Sequence, residues 1–208
     1  MKIVPSVMAK NQLELNVRFD RLRGVSKVVH LDVVDGKFAP SKSLWFPFRL
    51  RVGFRYSAHL MVQEPEKWIA RFGDRVDLCI AQFEAIKDVS SYIELMKKKG
   101  KKVAVALQPS TAVSLVKPYV HLLDYALVLT VKPGFYGSPY LPQELRKIRL
   151  LKKWNPRLKV FVDGHMNPQT IGKALIAGAD YCIAGSYVTL ADDPKKAMME
   201  LRKASGGD

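Results

Sequence analysis

The 208-residue chain is short of the features that mark secreted, membrane-spanning or dinucleotide-binding proteins. Its two cysteines, Cys79 and Cys182, lie inside apolar strand-like runs, where a thiol behaves as a small buried hydrophobe, so a disulfide framework is not expected. No apolar run reaches the roughly 20 residues needed to cross a bilayer, because Lys, Arg, Asp or Gly interrupts each one. Met1 leads almost at once into the apolar run Ile3 to Val7, with no basic, apolar and small-residue order of a secretory signal. The expectation is a soluble, cytoplasmic protein that starts at Met1. The first candidate strand-to-helix turn, Pro5-Ser6-Val7-Met8-Ala9, lacks a glycine-rich dinucleotide loop, which argues against a doubly wound nucleotide-binding sheet. Acidic residues are scarce as well: 19 Asp+Glu stand against 34 Lys+Arg, a formal charge of +15. Such a surface attracts polyanions, whether a phosphorylated metabolite, nucleic acid or an acidic partner. The densest basic run, Lys97 to Lys102 broken by Gly100, falls where a helix should end, and cations there complement the helix dipole. A solvated helix terminus is therefore preferred to a nucleic-acid patch.

What the sequence does contain is a regular alternation. The chain is 48% hydrophobic and 25% charged, ordinary globular values that allow one domain over residues 1–208. Strand-like runs occur at Lys2 to Val7, Lys27 to Val33, Phe54 to Leu60, Val76 to Phe83, Lys102 to Leu107, Tyr125 to Val131, Leu158 to Val162 and Tyr181 to Ala184. Most are continuously hydrophobic, as strands of a parallel sheet covered on both faces must be. Amphipathic segments lie between them, including Leu13 to Leu22, Pro65 to Phe72, Val89 to Lys99, Pro142 to Trp154, Pro168 to Ala177 and Pro194 to Lys203. Asn167-Pro168 and Asp193-Pro194 each place a capping side chain before a proline suited to the first helical position. About eight βα units make an α/β fold of the (β/α)8 TIM-barrel type. The second unit is weak, since Ser41 to Gly53 carries Pro47 and several aromatics with little helical pattern, and its helix is expected to be short or irregular.

On such a barrel the active site sits at the carboxyl ends of the strands. The second strand ends in His30-Leu31-Asp32-Val33-Val34-Asp35-Gly36, and His30 and Asp32, two residues apart, share a face. The third ends in Ala58-His59-Leu60-Met61 and the seventh in Val162-Asp163-Gly164, so two histidines and two aspartates converge on one rim. Imidazole and carboxylate ligands with an open position suit Zn²⁺, Fe²⁺, Mn²⁺ or Co²⁺. His121, in a helix-to-strand connection, is given no chemical role. Phosphate signals follow on the last two strands. The runs Asp163-Gly164-His165 and Ala184-Gly185-Ser186 pass from strand to helix, where backbone N–H groups and a helix N-terminus can hold an anion. The loop Val131-Lys132-Pro133-Gly134-Phe135-Tyr136-Gly137 reads either as a cover over the substrate or as a plain turn.

With these residues in place, the sequence resembles the ribulose-phosphate 3-epimerase family from Ile3 to Arg202. The shared pieces are Pro5-Ser6, His30-Leu31-Asp32-Val33-Val34-Asp35-Gly36-Lys37-Phe38-Ala39-Pro40, Ala58-His59-Leu60-Met61, Val131-Lys132-Pro133-Gly134-Phe135, Val162-Asp163-Gly164 and Ala184-Gly185-Ser186. The resemblance implies that His30, Asp32, His59 and Asp163 bind one divalent metal ion, Zn²⁺ foremost, with Asp32 and Asp163 as the acid/base pair and Ser6 nearby. It implies Gly137, Gly164, Gly185 and Ser186 for the phosphate; Ser6, His59, Gly134 and His165 complete the expected substrate-binding set. The chain departs from the family pattern at several places: His165 stands for a second glycine, Lys132 for asparagine, Tyr136 for a loop glycine, and Gln82 for a histidine. Val34 and Leu129 stand where methionines are common.

The implied reaction is 3-epimerisation of a ketose phosphate, D-ribulose 5-phosphate to D-xylulose 5-phosphate first of all, by two-base proton transfer through a metal-stabilised enediolate. This is an isomerase activity of the pentose phosphate pathway. A phosphorylated ketose is thus the expected partner, a membrane and nucleic acid are not, and homo-oligomerisation is left open. The rivals are an epimerase of another ketose phosphate, such as a hexulose 6-phosphate, and a basic nucleic-acid-binding protein on an inherited barrel. A decarboxylase or aldolase on the same barrel fits less well, because those relatives rely on an Asp-x-Lys arrangement that His30-Leu31-Asp32 does not offer.

Overall fold

A computed structural model of the protein describes residues 1–134 and 137–207. Among these residues nine strands form one sheet: β1 (Lys2–Val7), β2 (Val28–Asp35), β3 (Lys42–Ser43), β4 (Arg55–Met61), β5 (Leu78–Gln82), β6 (Ala104–Leu107), β7 (Tyr125–Leu129), β8 (Lys159–Asp163) and β9 (Tyr181–Ala184). Eight of them are parallel neighbours in the order β1-β9-β8-β7-β6-β5-β4-β2, and β1 also pairs with β2, Ser6 opposite His30. That last pairing closes the sheet into a (β/α)8 barrel and excludes an open doubly wound sheet.

Alternation along each strand sends its apolar residues to the barrel interior or to the outer face. Val4, Ile80, Ala104, Ala106, Leu127, Leu129, Phe161 and Ile183 pack together inside the barrel. Val29, Leu31 and Val33 of β2 and their counterparts on other strands pack outward, in one cluster with Leu15, Phe19 and Leu22 of helix α1 (Gln12–Leu22). His30 and Asp32 therefore have no choice but to point inward. The β2–β4 register places Asp32 directly opposite His59.

Further helices follow as α2 (Pro65–Phe72), α3 (Val89–Lys98), α4 (Leu145–Trp154), α5 (Ile171–Ile176), α6 (Ser186–Thr189) and α7 (Pro194–Ala204). Asn11, Asp88 and Asp193 cap α1, α3 and α7 through their side chains, the last with Pro194 in the first turn. At Asn167-Pro168 the side chain accepts from the backbone N–H groups of Gln169 and Thr170, but these bonds make a turn, and α5 starts only at Ile171. The irregular second unit is more extreme than its sequence suggests: β3 folds back antiparallel on Val34–Asp35, and no helix lies between β2 and β4. The lysine run ends α3 as expected; Gly100 takes φ +62°, Lys101 donates to the Val76 carbonyl and Lys102 pairs with Asp124. Both cysteines are buried free thiols. Among the described residues no helix is long and apolar enough to cross a membrane.

The amino-terminal rim of the barrel carries a device that appears before β5, β7 and β9. Asp77, Asp124 and Asp180 each stand immediately before a strand, and each exchanges two hydrogen bonds with one residue in or immediately before the start of the preceding strand. Their N–H groups donate to the carbonyls of Tyr56, Val103 and Val160, and their carboxylates accept from those same residues' N–H groups at 2.7, 2.9 and 2.8 Å. A basic neighbour, Arg55, Lys102 or Lys159, closes each unit at 2.9–3.2 Å.

Candidate active site at the carboxyl end of the barrel

His30 and Asp32 on β2, His59 on β4 and Asp163 at the end of β8 meet at the carboxyl mouth, with one ligand atom of each within 4.8 Å of all the others. Both imidazoles are completely buried and Asp32 nearly so, whereas Asp163 is only partly covered. His30 Nδ1 lies 2.8 Å from Ser57 Oγ, and His59 Nε2 lies 2.9 Å from the Gln82 amide. With those nitrogens engaged, each ring turns its other nitrogen toward Asp32, His30 Nε2 at 3.7 Å and His59 Nδ1 at 3.8 Å from Oδ1. These separations are too long for hydrogen bonds.

The consequence is unusual for a folded interior. His30 Nε2, Asp32 Oδ1 and His59 Nδ1 are all buried, face one another and have no hydrogen-bond partner. Buried polar atoms are nearly always satisfied, so three such atoms aimed at one point indicate a group that would satisfy them. Two imidazole nitrogens and two carboxylates, with each imidazole braced from behind, form the donor set of a divalent transition-metal site with room for substrate oxygens. The residues present therefore fit a metal ion.

Electrostatics separates the two carboxyl groups. Burial would raise Asp32, but the neighbouring His59 and His30 imidazoles and the Ser6 hydroxyl outweigh it and hold this group below the ordinary carboxylate value. Asp163 is pushed well above that value by burial and by the negative charge of Asp32, with the Gly164 N–H opposing. His30 is lowered to about 4, chiefly by burial. The four side chains alone thus favour one ionised and one protonated carboxyl group and a neutral His30.

Above the tetrad opens a cavity of about 340 Å³. Ser6, Asp32, Asp163, Gly134, Gly137, Gly164, His165, Gly185 and Ser186 line it, so all expected site residues except His30 and His59 reach its surface. Those two lie fully buried beside Asp32 and Asp163. Gly185-Ser186 leads into α6 as expected, whereas Gly164-His165 leads into the Asn167 turn and not directly into a helix. Gly164 takes φ +117°, and a Cβ there would come within 2.7 Å of Val131 and 2.9 Å of Thr130 Oγ1, so only glycine fits. His165 keeps φ +54° despite its side chain, with its ring stacked 6.1 Å from Tyr140. Lys132 also lines the cavity. Phe135 and Tyr136 lie outside the described residues, and His121, exposed at the end of a 3-10 helix, takes no part.

The residue-by-residue reading missed Ser57 and the role of Gln82. Ser57 precedes His59 by two on the same inward face, and that spacing was the available signal. Met8, Met61, Leu129 and Ile183, which give the cavity its apolar wall, carry no comparable mark.

The sequence model of the ribulose-phosphate 3 epimerase family matches residues 2–189. Among curated proteins, the chain is 34% identical to the ribulose-phosphate 3-epimerase of Schizosaccharomyces pombe, covering 98% of this chain and 93% of that one. It is 32% identical to the enzyme of the same name from Bacillus subtilis, with 97% and 98% covered. Among solved structures, 3-hexulose-6-phosphate synthase from Salmonella typhimurium superposes with a TM-score of 0.68 at 18% identity, covering 99% and 98% of the two chains.

Proposed function

Since the chain belongs to the ribulose-phosphate 3-epimerase family, and is an enzyme of that kind, we propose that it interconverts D-ribulose 5-phosphate and D-xylulose 5-phosphate by two-base proton transfer at the tetrad. The observation that carries the reading is the convergence of three unsatisfied buried atoms with two oppositely shifted carboxyl groups beneath one cavity.

Inverting C3 beside a ketone requires a base on one face of the carbon and an acid on the other. Asp32 on β2 and Asp163 on β8 come from different sectors of the ring and both line the cavity. In one direction ionised Asp32 accepts the C3 proton and protonated Asp163 delivers another to the opposite face; in the reverse direction the roles exchange. A divalent metal ion held by His30, Asp32, His59 and Asp163 would supply Lewis-acid stabilisation of the negative charge that develops on the substrate oxygens. Ser57 and Gln82 keep the two imidazoles facing the centre. The Gly164-His165 and Gly185-Ser186 turns, with Gly137 and Gly134, receive the phosphate end, and the positive surface draws the anion in.

His165 and Lys132 bear on which ketose phosphate is preferred, since both line the cavity. Initial rates over ketose pentose and hexulose phosphates, with metal content measured on the same protein, test the assignment. D-ribulose 5-phosphate is expected to show the highest kcat/KM. A higher value for a hexulose 6-phosphate would transfer the assignment to that substrate, and inactivity toward the whole panel by metal-replete protein would defeat it.

A further inference from the structure

Gln82 ends β5 inside the barrel, fully buried, and its surroundings dictate how its amide must lie. Three groups surround it: His59 Nε2, Glu84 Oε2 and the carbonyl of Ala106. The last two can only accept hydrogen bonds. The amide nitrogen therefore faces them, donating to Glu84 Oε2 at 2.7 Å and to Ala106 O at 3.2 Å, and the amide oxygen faces His59 Nε2 at 2.9 Å. An oxygen there can only accept, so His59 must carry its proton on Nε2. Its Nδ1 is then left with a bare lone pair aimed at Asp32 Oδ1 and the centre of the tetrad.

Glu84 is itself fixed. Its Oε1 accepts from the Gln108 N–H at 3.1 Å and from the Thr111 hydroxyl. The carbonyls of Gln108 and Pro109 in turn accept from the buried Lys147 ammonium at 2.8 and 2.9 Å, which also pairs with Glu144. The constraint on one imidazole thus extends through Gln82 and Glu84 to the connection after β6 and to α4.

We propose that Gln82, held by Glu84, is a positioning residue that locks His59 in the Nε2–H tautomer and so presents Nδ1 to a metal ion. The metal half of this inference rests on the proposed function above; the tautomer half stands on the hydrogen bonds alone.

The test uses the full chain labelled with ¹⁵N-histidine, whose four histidines give a spectrum simple enough to assign, together with Co²⁺ as the binding probe. Long-range ¹H–¹⁵N NMR of the metal-free protein is expected to show His59 wholly as the Nε2–H tautomer. In Gln82→Leu the Nδ1–H form should become populated, with Co²⁺ affinity lowered about 10–100-fold, as when other outer hydrogen bonds to metal ligands are removed, and with an altered Co²⁺ absorption spectrum. Glu84→Gln, which keeps an acceptor for Gln108 and Thr111 but lets the Gln82 amide turn over, should mix the tautomers with a smaller loss of affinity. It decides the matter should Gln82→Leu not fold. An Nδ1–H tautomer in the unmodified protein, or unchanged tautomer and Co²⁺ affinity in both variants, would overturn the proposal. An Nε2–H tautomer with no Co²⁺ binding would uphold the lock and defeat the metal reading, so the two failures are distinguishable.

Discussion

The two rims of the barrel use the same residue types to opposite ends. At the amino-terminal rim Asp77, Asp124 and Asp180 each bond to the backbone at the start of the preceding strand or just before it, and to a basic side chain. At the carboxyl rim Asp32 and Asp163 meet each other and two buried imidazoles, with three polar atoms left unsatisfied. Even the direction of the carboxyl pKa differs: burial raises Asp180, but Lys152, the Val160 N–H and Lys159 bring it below the ordinary value, whereas burial and Asp32 hold Asp163 well above it. Satisfied carboxylates fasten one strand to the next. Unsatisfied ones are a cost to the fold that only a ligand can offset.

Substitution at the carboxyl rim should separate activity from stability most widely. Asp163→Asn is expected to remove epimerisation by about 10³-fold or more, in the range of a lost general acid or base. The metal-free variant should melt at or above the temperature of the unmodified protein. The sign follows from linkage: a carboxyl group whose folded pKa is raised destabilises the fold progressively as pH climbs from the unfolded value through the folded one, and an amide does not ionise. A large fall in melting temperature would move Asp163 into the class of the amino-terminal aspartates. Metal removal attacks the same rim without mutation. Chelation should abolish turnover, and adding Zn²⁺ at about 100 times its Kd should restore it and stabilise the fold by about 2.7 kcal/mol, read from denaturant unfolding.

The opposite rim should respond the opposite way. Asp180→Ala removes the acceptor for the Val160 N–H and the partner of Lys152, 2.5 Å away, and is expected to cost about 2–3 kcal/mol of stability with kcat nearly unchanged. Because Asp180 is depressed in the fold, its contribution is present above the unfolded carboxylate pKa and is lost as pH falls through the lower folded value. The variant and the unmodified protein should therefore converge in stability in acid, below about pH 4. The smallest effect on stability, within about 1 kcal/mol, is expected for His165→Gly, where relief of the positive φ opposes the added chain entropy. Its readout is KM across the ketose-phosphate panel, and an unchanged KM for every substrate would remove His165 from the phosphate end.

The same contrast explains what could be read from the sequence. The barrel was legible because buried parallel strands must be continuously apolar, and any histidine or aspartate interrupting them at the carboxyl end, such as His30 or Asp163, stands out. The weakness of the second helical unit was visible as Pro47 and the aromatics around it, but the complete loss of a helix between β2 and β4 was not. The amino-terminal clamps escaped notice although Asp77, Asp124 and Asp180 all stand one residue before a strand, because their partners are backbone N–H groups at the start of the preceding strand or just before it and leave no mark in composition. Gln82 was noticed only as a departure; its role emerges from the acceptor-only groups around its amide, brought there by β5, β6 and the segment between them. Likewise, the late start of α5 reflects an Asn167 turn whose hydrogen bonds look, in sequence, like a helix cap.

The central claim is that the carboxyl rim is a two-base site, and the measurement that tests it most directly is the fate of the C3 hydrogen. Metal-loaded protein in D₂O should give xylulose 5-phosphate carrying one deuterium at C3 for each D-ribulose 5-phosphate converted, while Asp163→Asn should exchange C3 hydrogen in one epimer without inverting it. Product that retains solvent-independent hydrogen at C3, or inversion by Asp163→Asn at an undiminished rate, would contradict the account.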